Sequence, residues 1–433
     1  VKAFALAVAL ALAAPAGDVL PQPGVSSTAL DPSPLVLPQD DPKLVTVPGL
    51  SAKIQARPHA YFRLINTPFM TLVCERFAEL LASQPMATLH GDAHLEQYAV
   101  TDRGRGLADF DDSSTGPALL DLARFATSIR LALRERSWEG AEAMVTRFLE
   151  GYVAALRNPR IEARLPTVAR RLAAGFDRDR LACLARAEAY MRDLPDDKPP
   201  PSPALLEMVA RQLADASRKP ARFFHVKRFG ALSIGIGSAA DEKYLLRIEG
   251  PSSSASDDVI LEIKEARALD TISCIRSETG PTRIVVGQSR LAYEPFQYVG
   301  ALTLEQPAAA EGTQTPASPG QPLKRYFWFH AWPDNYAELD IRSSFESPAE
   351  LAEVVYDVGV QLGRGHPKGV KGREADRLRE ALLQALQGSR VQAMSAELAD
   401  ACEAAWRRFT EQAKGQGPPP AAVGDSGLPV LRR

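Results

Sequence analysis

Cysteine is scarce in this chain, four in 433 residues. Cys74, Cys183, Cys274 and Cys402 stand far apart with no CxxC among them, which excludes a cysteine-built metal knuckle. They read as isolated buried thiols, because Cys74, Cys183 and Cys402 fall in apolar helical patterns. In an oxidising compartment they could instead form up to two disulfides in any of three connectivities. Histidine is scarce too, six in all. A zinc hydrolase built on His90, Asp92 and His94 needs a further ligand, and His59, His225, His330 and His366 offer none at metal-ligand spacing.

Neither sign of charge predominates. Lysine and arginine number 51 against 53 acidic residues, and the pI is near 6.4, so a broad electrostatic footprint for nucleic acid is excluded. The local group Arg364, Lys368, Lys371, Arg373, Arg377 and Arg379 reads as a helix end with its solvated face. A run long enough for a comfortable membrane anchor is missing as well. The opening VKAFALAVALALAAPAG has one lysine, a short apolar run and Ala14-Pro15-Ala16 before Gly17, the pattern of a secretory signal peptide over 1–16. No cysteine stands at a lipidation position. These features imply export to the periplasm or medium without a stable membrane anchor after cleavage; the alternative is a misassigned start and a cytoplasmic protein.

What is present is ordinary globular material, 45% hydrophobic and 24% charged, long enough for two lobes with their own cores. Its most informative stretch is HGDAHLEQYAV, residues 90–100, followed by GLADFDDSSTGPALLDLARFATSI from Gly106. Tyr98–Val100 and Gly106–Phe110 read as two short strands joined by the turn TDRGR. Such a hairpin would turn Asp92 and Asp109 toward one cavity. Phosphoryl transfer needs a carboxylate to orient the nucleophile and a divalent ion on the phosphate oxygens, and Asp92 and Asp109 suit those two tasks. His90 and His94 read as residues that brace the loop by hydrogen bonds.

A nucleotide site needs more. From Phe229 the chain reads FGALSIGIGSAADEKYLLRIEG, then PSSSASDD, then VILEIKEA, a three-stranded meander with Gly235, Gly237 and Ser238 at the first bend. Glycines let a backbone approach phosphates, and Lys264 near the end of the third strand could steady them. RIVVGQSRLAYEPFQYVGALTL and KRYFWFHAWP read as further strands around the low-complexity insert EQPAAAEGTQTPASPGQP. SPAELAEVVYDVGVQLGRGHPKG has a serine cap, a glutamate three residues on and a helical apolar stripe.

These motifs resemble a known family. HGDAHLEQ is similar to the HGDxHxxN catalytic loop of aminoglycoside phosphotransferases and related protein-kinase-like enzymes. ADFDDSSTGPALLDLA is similar to their metal-aspartate segment, with Asp109 and Asp121 at the family's interval, and LGRGH resembles the L-x-x-x-H that precedes their catalytic loop. Their order is rotated, since the loop and the metal aspartate come first. That rotation, with GxGS and KEA, resembles the bacterial family called domain of unknown function 2252, from about Ala56, where ARPHAYFRL is similar to its F-x-F-x-R segment, to about residue 413. Gln97 stands where the family has a metal-binding asparagine, one methylene longer, and Leu64 and Tyr98 stand where glycine and phenylalanine are expected.

The resemblance implies an α+β, two-lobed, protein-kinase-like fold, circularly permuted, with a mostly helical lobe and a small antiparallel β-sheet lobe. The expected organisation is an extended Pro-rich arm over 17–55, a helical lobe with the catalytic loop over 56–220, a β-rich nucleotide-binding lobe over 221–345, helices completing the helical lobe over 346–414 and a disordered tail over 415–433. The implied activity moves a phosphoryl group from ATP or GTP, with Mg2+, to an unknown small-molecule or protein hydroxyl. Asp92 would act on the acceptor, Asp109 and Gln97 would hold the metal, and Gly235, Gly237, Ser238 and Lys264 the nucleotide. The alternative is an exported, non-catalytic kinase-like binding or scaffolding protein.

Overall fold

A computed structural model describes residues 29–47, 49–192, 203–217, 224–232, 242–250, 252–276, 280–306 and 323–414. The leader, the bend with Gly235, Gly237 and Ser238, most of the low-complexity insert and the tail lie outside the described residues. From residue 29 onward the arm is not extended. A 3-10 turn at Ser33–Leu35 is followed by helices α1 (Pro42–Thr46) and α2 (Leu50–Gln55), with Asp41 capping α1 through the amide of Lys43. Leu35, Leu50 and Ile54 are buried, and the Tyr61 hydroxyl donates to the carbonyl of Leu35 while accepting from the amide of Leu37. A few apolar anchors are enough to fold a proline-rich stretch onto a core.

Helices α3 (Pro58–Leu64), α4 (Asn66–Arg76) and α5 (Ala78–Ala82) lead into strand β1 (Met86–Leu89). After the loop 90–97 come β2 (Tyr98–Thr101) and β3 (Arg105–Leu107). They form the expected antiparallel hairpin, Tyr98 opposite Leu107 and Val100 opposite Arg105. The second strand stops at Leu107, so Asp109 lies in the turn beyond it. Strand β4 (Ser114–Pro117) then returns antiparallel to β1.

Helices α6 (Leu119–Glu135) and α7 (Ala141–Arg157) follow, then the shorter α8 (Thr167–Ala174), α9 (Arg180–Glu188) and α10 (Pro203–Ser217). The last two pack on a sheet rather than with the helical lobe where the sequence suggests them. That sheet comprises β5 (Val226–Ala231), β6 (Lys243–Ile248), β7 (Val259–Glu265), β8 (Gly300–Gln306) and β9 (Leu323–Ala331), in antiparallel order β5-β6-β7-β9-β8. Side chains alternate between faces. Tyr244, Leu246, Leu261, Ile263, Phe327 and Phe329 pack with Val209 and Leu213 of α10. Leu245 and Ile260, from the opposite set, meet Leu184, Ala187 and Met191 at α9.

Between β7 and β8 the run RIVVGQSRL forms helix α11 (Thr282–Leu291) instead of the expected strand. Ile-Val-Val has high strand propensity, but Arg283, Ile284, Gly287, Gln288 and Leu291 are buried, a spacing of three and four that only a helix turns to one side. The short β10 (Tyr336–Glu338) leaves the large sheet and pairs with β2. Helices α12 (Pro348–Gly365), α13 (Gly372–Ala385) and α14 (Arg390–Lys414) complete the chain. Ser347 caps α12 by accepting from the amide of Glu350, a contact of about 1 kcal/mol.

The architecture is α+β, with small antiparallel sheets among the helices. One large core joins α3, α4, α6, α7, α12 and α14 to β1, β2 and β3. Cys74 on α4 and Cys274, between β7 and α11, form a disulfide, while Cys183 and Cys402 are free and buried. The expectation of four isolated thiols is corrected for that pair, because a separation of 200 residues hides the pairing from any local pattern. No helix among the described residues is long and apolar enough to cross a membrane.

Candidate functional site

Helix α6 holds the Asp92 loop with one face. Asp121, Arg124 and Ser128 follow at spacings of three and four, so they project on the same side. The Asp121 carboxylate accepts the amides of His90 at 2.6 Å and Gly91 at 2.9 Å. Arg124 donates through Nε (3.0 Å) and Nη2 (2.8 Å) to Asp92 Oδ1, and Ser128 Oγ accepts the amide of Leu95 at 3.2 Å. His366, at the end of α12, approaches Asp121 Oδ2 at 3.2 Å and the Tyr152 hydroxyl at 2.8 Å. Gly91 has φ +84°, and a Cβ there would overlap the carbonyl of Asp112. Only glycine fits.

The segment ARPHAYFRL clamps the far end of the loop. Arg57 and Arg63 both bond the buried Glu96. Burial works against its charge, yet His59, Arg63 and Arg57 hold Glu96 well below the usual carboxylate range. His90 braces the loop as expected: Nε2 meets the Ala108 carbonyl at 2.9 Å and Nδ1 accepts the Asp92 amide at 3.3 Å, which selects the neutral Nε2–H tautomer. His94 does not. Neither of its ring nitrogens has a hydrogen-bond partner, and the ring packs edge-on against His59 and Phe62, with Nε2 3.7 Å from Asp92 Oδ2.

Asp92 is buried. Burial raises its pKa, Arg124 opposes the rise, and the charges of Asp112 and Asp109 add to it, bringing the group to about 7. Since Arg124 holds Oδ1, Oδ2 is the oxygen left for another donor.

Asp109 adopts φ 59°, a left-handed conformation few non-glycine residues take and one that persists only where surrounding contacts hold it. Gln97 Nε2 reaches its Oδ2 at 3.4 Å, and Lys264 Nζ, arriving from β7, lies 3.1 Å from its Oδ1. Lys264 also bonds Asp111 Oδ2 at 3.2 Å and stands 3.7 Å from Glu262. Thus Asp109, Gln97 and Lys264 meet in one cluster, with Asp92 near enough to feel the Asp109 charge. Asp109 is held well below the usual carboxylate range: burial opposes its charge, but Lys264, a hydrogen bond from Asp111 and Lys243 outweigh that. Asp111 moves the other way, raised by burial and by the Asp109 charge.

Several contributors were not picked out from sequence. Trp328 Nε1 donates to Asp111 Oδ1 at 2.7 Å, and His330 pairs with Glu262 at 3.1 Å. Asn66 Nδ2 bonds both the Gly91 carbonyl and Asp112 Oδ2 at 2.9 Å. Arg283 of α11 donates to the carbonyls of Asp111 and Ser113, an approach possible because a Cβ on Gly287 would collide with the Ser113 side chain. A charged residue inside an apolar helix run, as Arg124 is in LLDLARFATSI, was the one visible signal. A cavity of about 350 Å³, lined by Arg105, Gln288, Tyr293, Phe296 and Trp332, borders the cluster at Ala108 and Phe110 but includes none of Asp92, Asp109 or Lys264. The buried charges converge in the cluster, outside that cavity.

Among the described residues no group of three or more His, Cys, Asp or Glu is arranged to hold a metal, so the zinc-hydrolase alternative has no ligand set there. The donors at Asp109 fit magnesium better. They are oxygen ligands, one carboxylate and one amide, and Gln97 Oε1 is buried without a hydrogen-bond partner; magnesium uses few protein ligands and keeps waters.

Residues 42–196 match the model of DUF2252, an uncharacterized protein family conserved in bacteria. The matched span includes Asp92, Gln97, Asp109 and Asp121 but ends before Lys264. No curated protein and no solved structure matches the chain.

Proposed function

We propose that this chain is a kinase-like phosphotransferase, circularly permuted, that moves a phosphoryl group from a nucleoside triphosphate to a hydroxyl. The observation that carries the reading is the ion pair of Lys264 with Asp109 at 3.1 Å, with Gln97 on the other oxygen of the same carboxylate. A strand lysine from 155 residues downstream and the side-chain amide of Gln97 meet on one aspartate, whose charge reaches Asp92.

In this reading Asp92 Oδ2 accepts the proton of the acceptor hydroxyl as that oxygen bonds to the terminal phosphorus and the bond to the bridging oxygen of the leaving diphosphate breaks. Arg124 fixes the carboxylate through Oδ1, and α6 fixes the loop. Lys264 turns from the aspartates to the donor phosphates. Asp109 and Gln97 would hold Mg2+, which when bound supplies positive charge to the phosphate oxygens. Thermal-unfolding titrations with Mg-ATP and Mg-GTP test the reading. It requires a stabilising shift in wild type that Asp109→Asn loses; equal shifts in both, or none in wild type, would refute it.

One observation favours the second reading, an exported binding protein without turnover. The Cys74–Cys274 disulfide suits an oxidising compartment, where nucleotide is scarce. A reporter fusion active only in the cytoplasm, with an uncleaved amino terminus, would count against it.

A further inference from the structure

The sheet brings a second lysine to the site. In the β6–β7 register Lys243 stands directly opposite Lys264, and Lys264 in turn opposite Trp328 on β9. Residues directly opposite in an antiparallel pair project from the same face with Cβ atoms roughly 5 Å apart, so the row Lys243, Lys264, Trp328 presents two ammonium groups toward the acidic turn. Both lysines are buried. Like charges placed opposite each other are destabilising, and burial adds to the cost. Lys243 carries that cost: burial and then the Lys264 charge lower its pKa, while Glu262, Asp109 and Asp111 act in the opposite direction.

Position supports a role toward a ligand. Lys243 is the first residue of β6, and Glu262, Asp109 and Asp111 all lie close enough to act on its charge. The carboxylates that now balance the two lysines include Asp109, the residue fitted to a metal. A divalent ion drawn to Asp109 would leave excess positive charge on two lysines whose strands run side by side, roughly 5 Å apart at the backbone, so that both could reach neighbouring phosphate groups of one chain.

We propose that Lys243 and Lys264 form a two-ammonium seat for two adjacent phosphate groups of a polyphosphate ligand, with Lys243 the residue that selects a polyphosphate over a single phosphate. The assignment deepens the phosphotransferase reading and rests on it for the identity of the site, but inorganic ligands can test it separately. Calorimetric titration of the full chain with magnesium pyrophosphate and with magnesium phosphate is the experiment, using wild type, Lys243→Met and Lys243→Arg, each verified as folded by circular dichroism.

Wild type is expected to bind pyrophosphate at least tenfold more tightly than phosphate. Lys243→Met should lose that preference, with pyrophosphate affinity falling tenfold or more, and Lys243→Arg should recover most of it. Unchanged pyrophosphate affinity in Lys243→Met, or equal weak binding of both anions to wild type, overturns the proposal. A lysine serving only to balance Glu262 and the aspartates would leave the ratio of the two affinities untouched. Pyrophosphate selectivity without any response to Mg-ATP or Mg-GTP would preserve the seat and remove the nucleotide reading. A nucleotide response unchanged in Lys243→Met would do the reverse.

Discussion

His366 Nε2 lies 3.2 Å from Asp121 Oδ2, and both side chains are fully buried. The carboxylate between them and the loop is therefore shared: α12 holds it from one side, and the amides of His90 and Gly91 engage it from the other. Removing charge from this point should loosen the loop more than the helix. Asp121→Asn is expected to cost about 3 kcal/mol, the scale for breaking a buried charge-assisted contact. Urea unfolding measures it, and amide exchange at His90 and Gly91 should accelerate before exchange in α6 does.

Asp92 sets a pH dependence with a definite sign. Its folded-state pKa of about 7 lies above the ordinary 3.8, so between those values the folded chain keeps a proton the unfolded chain has released. This contribution to stability is present at acid pH and is lost as pH rises through about 7. If the carboxylate is the form that orients the hydroxyl, phosphoryl transfer should rise over the same interval. Arg124→Met removes the opposing charge and should displace the rate profile to higher pH. A profile flat from pH 6 to 8 in wild type would contradict the role assigned to Asp92.

The disulfide should matter on a scale set by the loop it closes. With Cys74 and Cys274 separated by 200 positions, the chain-entropy model gives about 5 kcal/mol. Cys74→Ser with Cys274→Ser should lower unfolding stability by an amount of that order, measured in denaturant. Alkylation of the unreduced, denatured chain followed by mass spectrometry should label Cys183 and Cys402 alone.

Gly91→Ala tests the loop backbone. The substitution meets both a left-handed φ and the carbonyl of Asp112, and a loss of about 3 kcal/mol is expected. Gly140 also has positive φ but faces open space; Gly140→Ala should cost about 1 kcal/mol. The difference between the two, read from thermal unfolding, isolates the steric part.

Local patterns carried much of this site. The hairpin at Tyr98–Leu107, the capped helix ending at His366 and the strand bearing Lys264 were all legible, because alternation, turn residues and caps act over a few neighbours. What was not legible depends on contacts made at long range. Arg124 acquires its partner 32 residues upstream, Trp328 reaches Asp111 across 217 residues, and Lys243 becomes notable only when the register places it opposite Lys264. Helix α11 was misread because Ile-Val-Val favours a strand locally, while its burial against the acidic turn decides for a helix. His94 was read as a hydrogen-bonding brace because residue type says nothing of the aromatic surroundings that receive it.

The pairing of β10 with β2 ties together regions made at very different times. The Tyr98 hydroxyl finds Asp357 only 259 residues later in the chain, which at 5–20 residues per second is roughly 13 to 52 s of synthesis. Until then the hairpin carrying the approach to Asp109 has a bare edge and lacks the helix that anchors it. A nascent chain halted before β10 is thus the form most exposed to pairing with the wrong strand. During synthesis this support cannot be completed until β10 and α12 have been made, although Asp92 and Asp109 are made long before them.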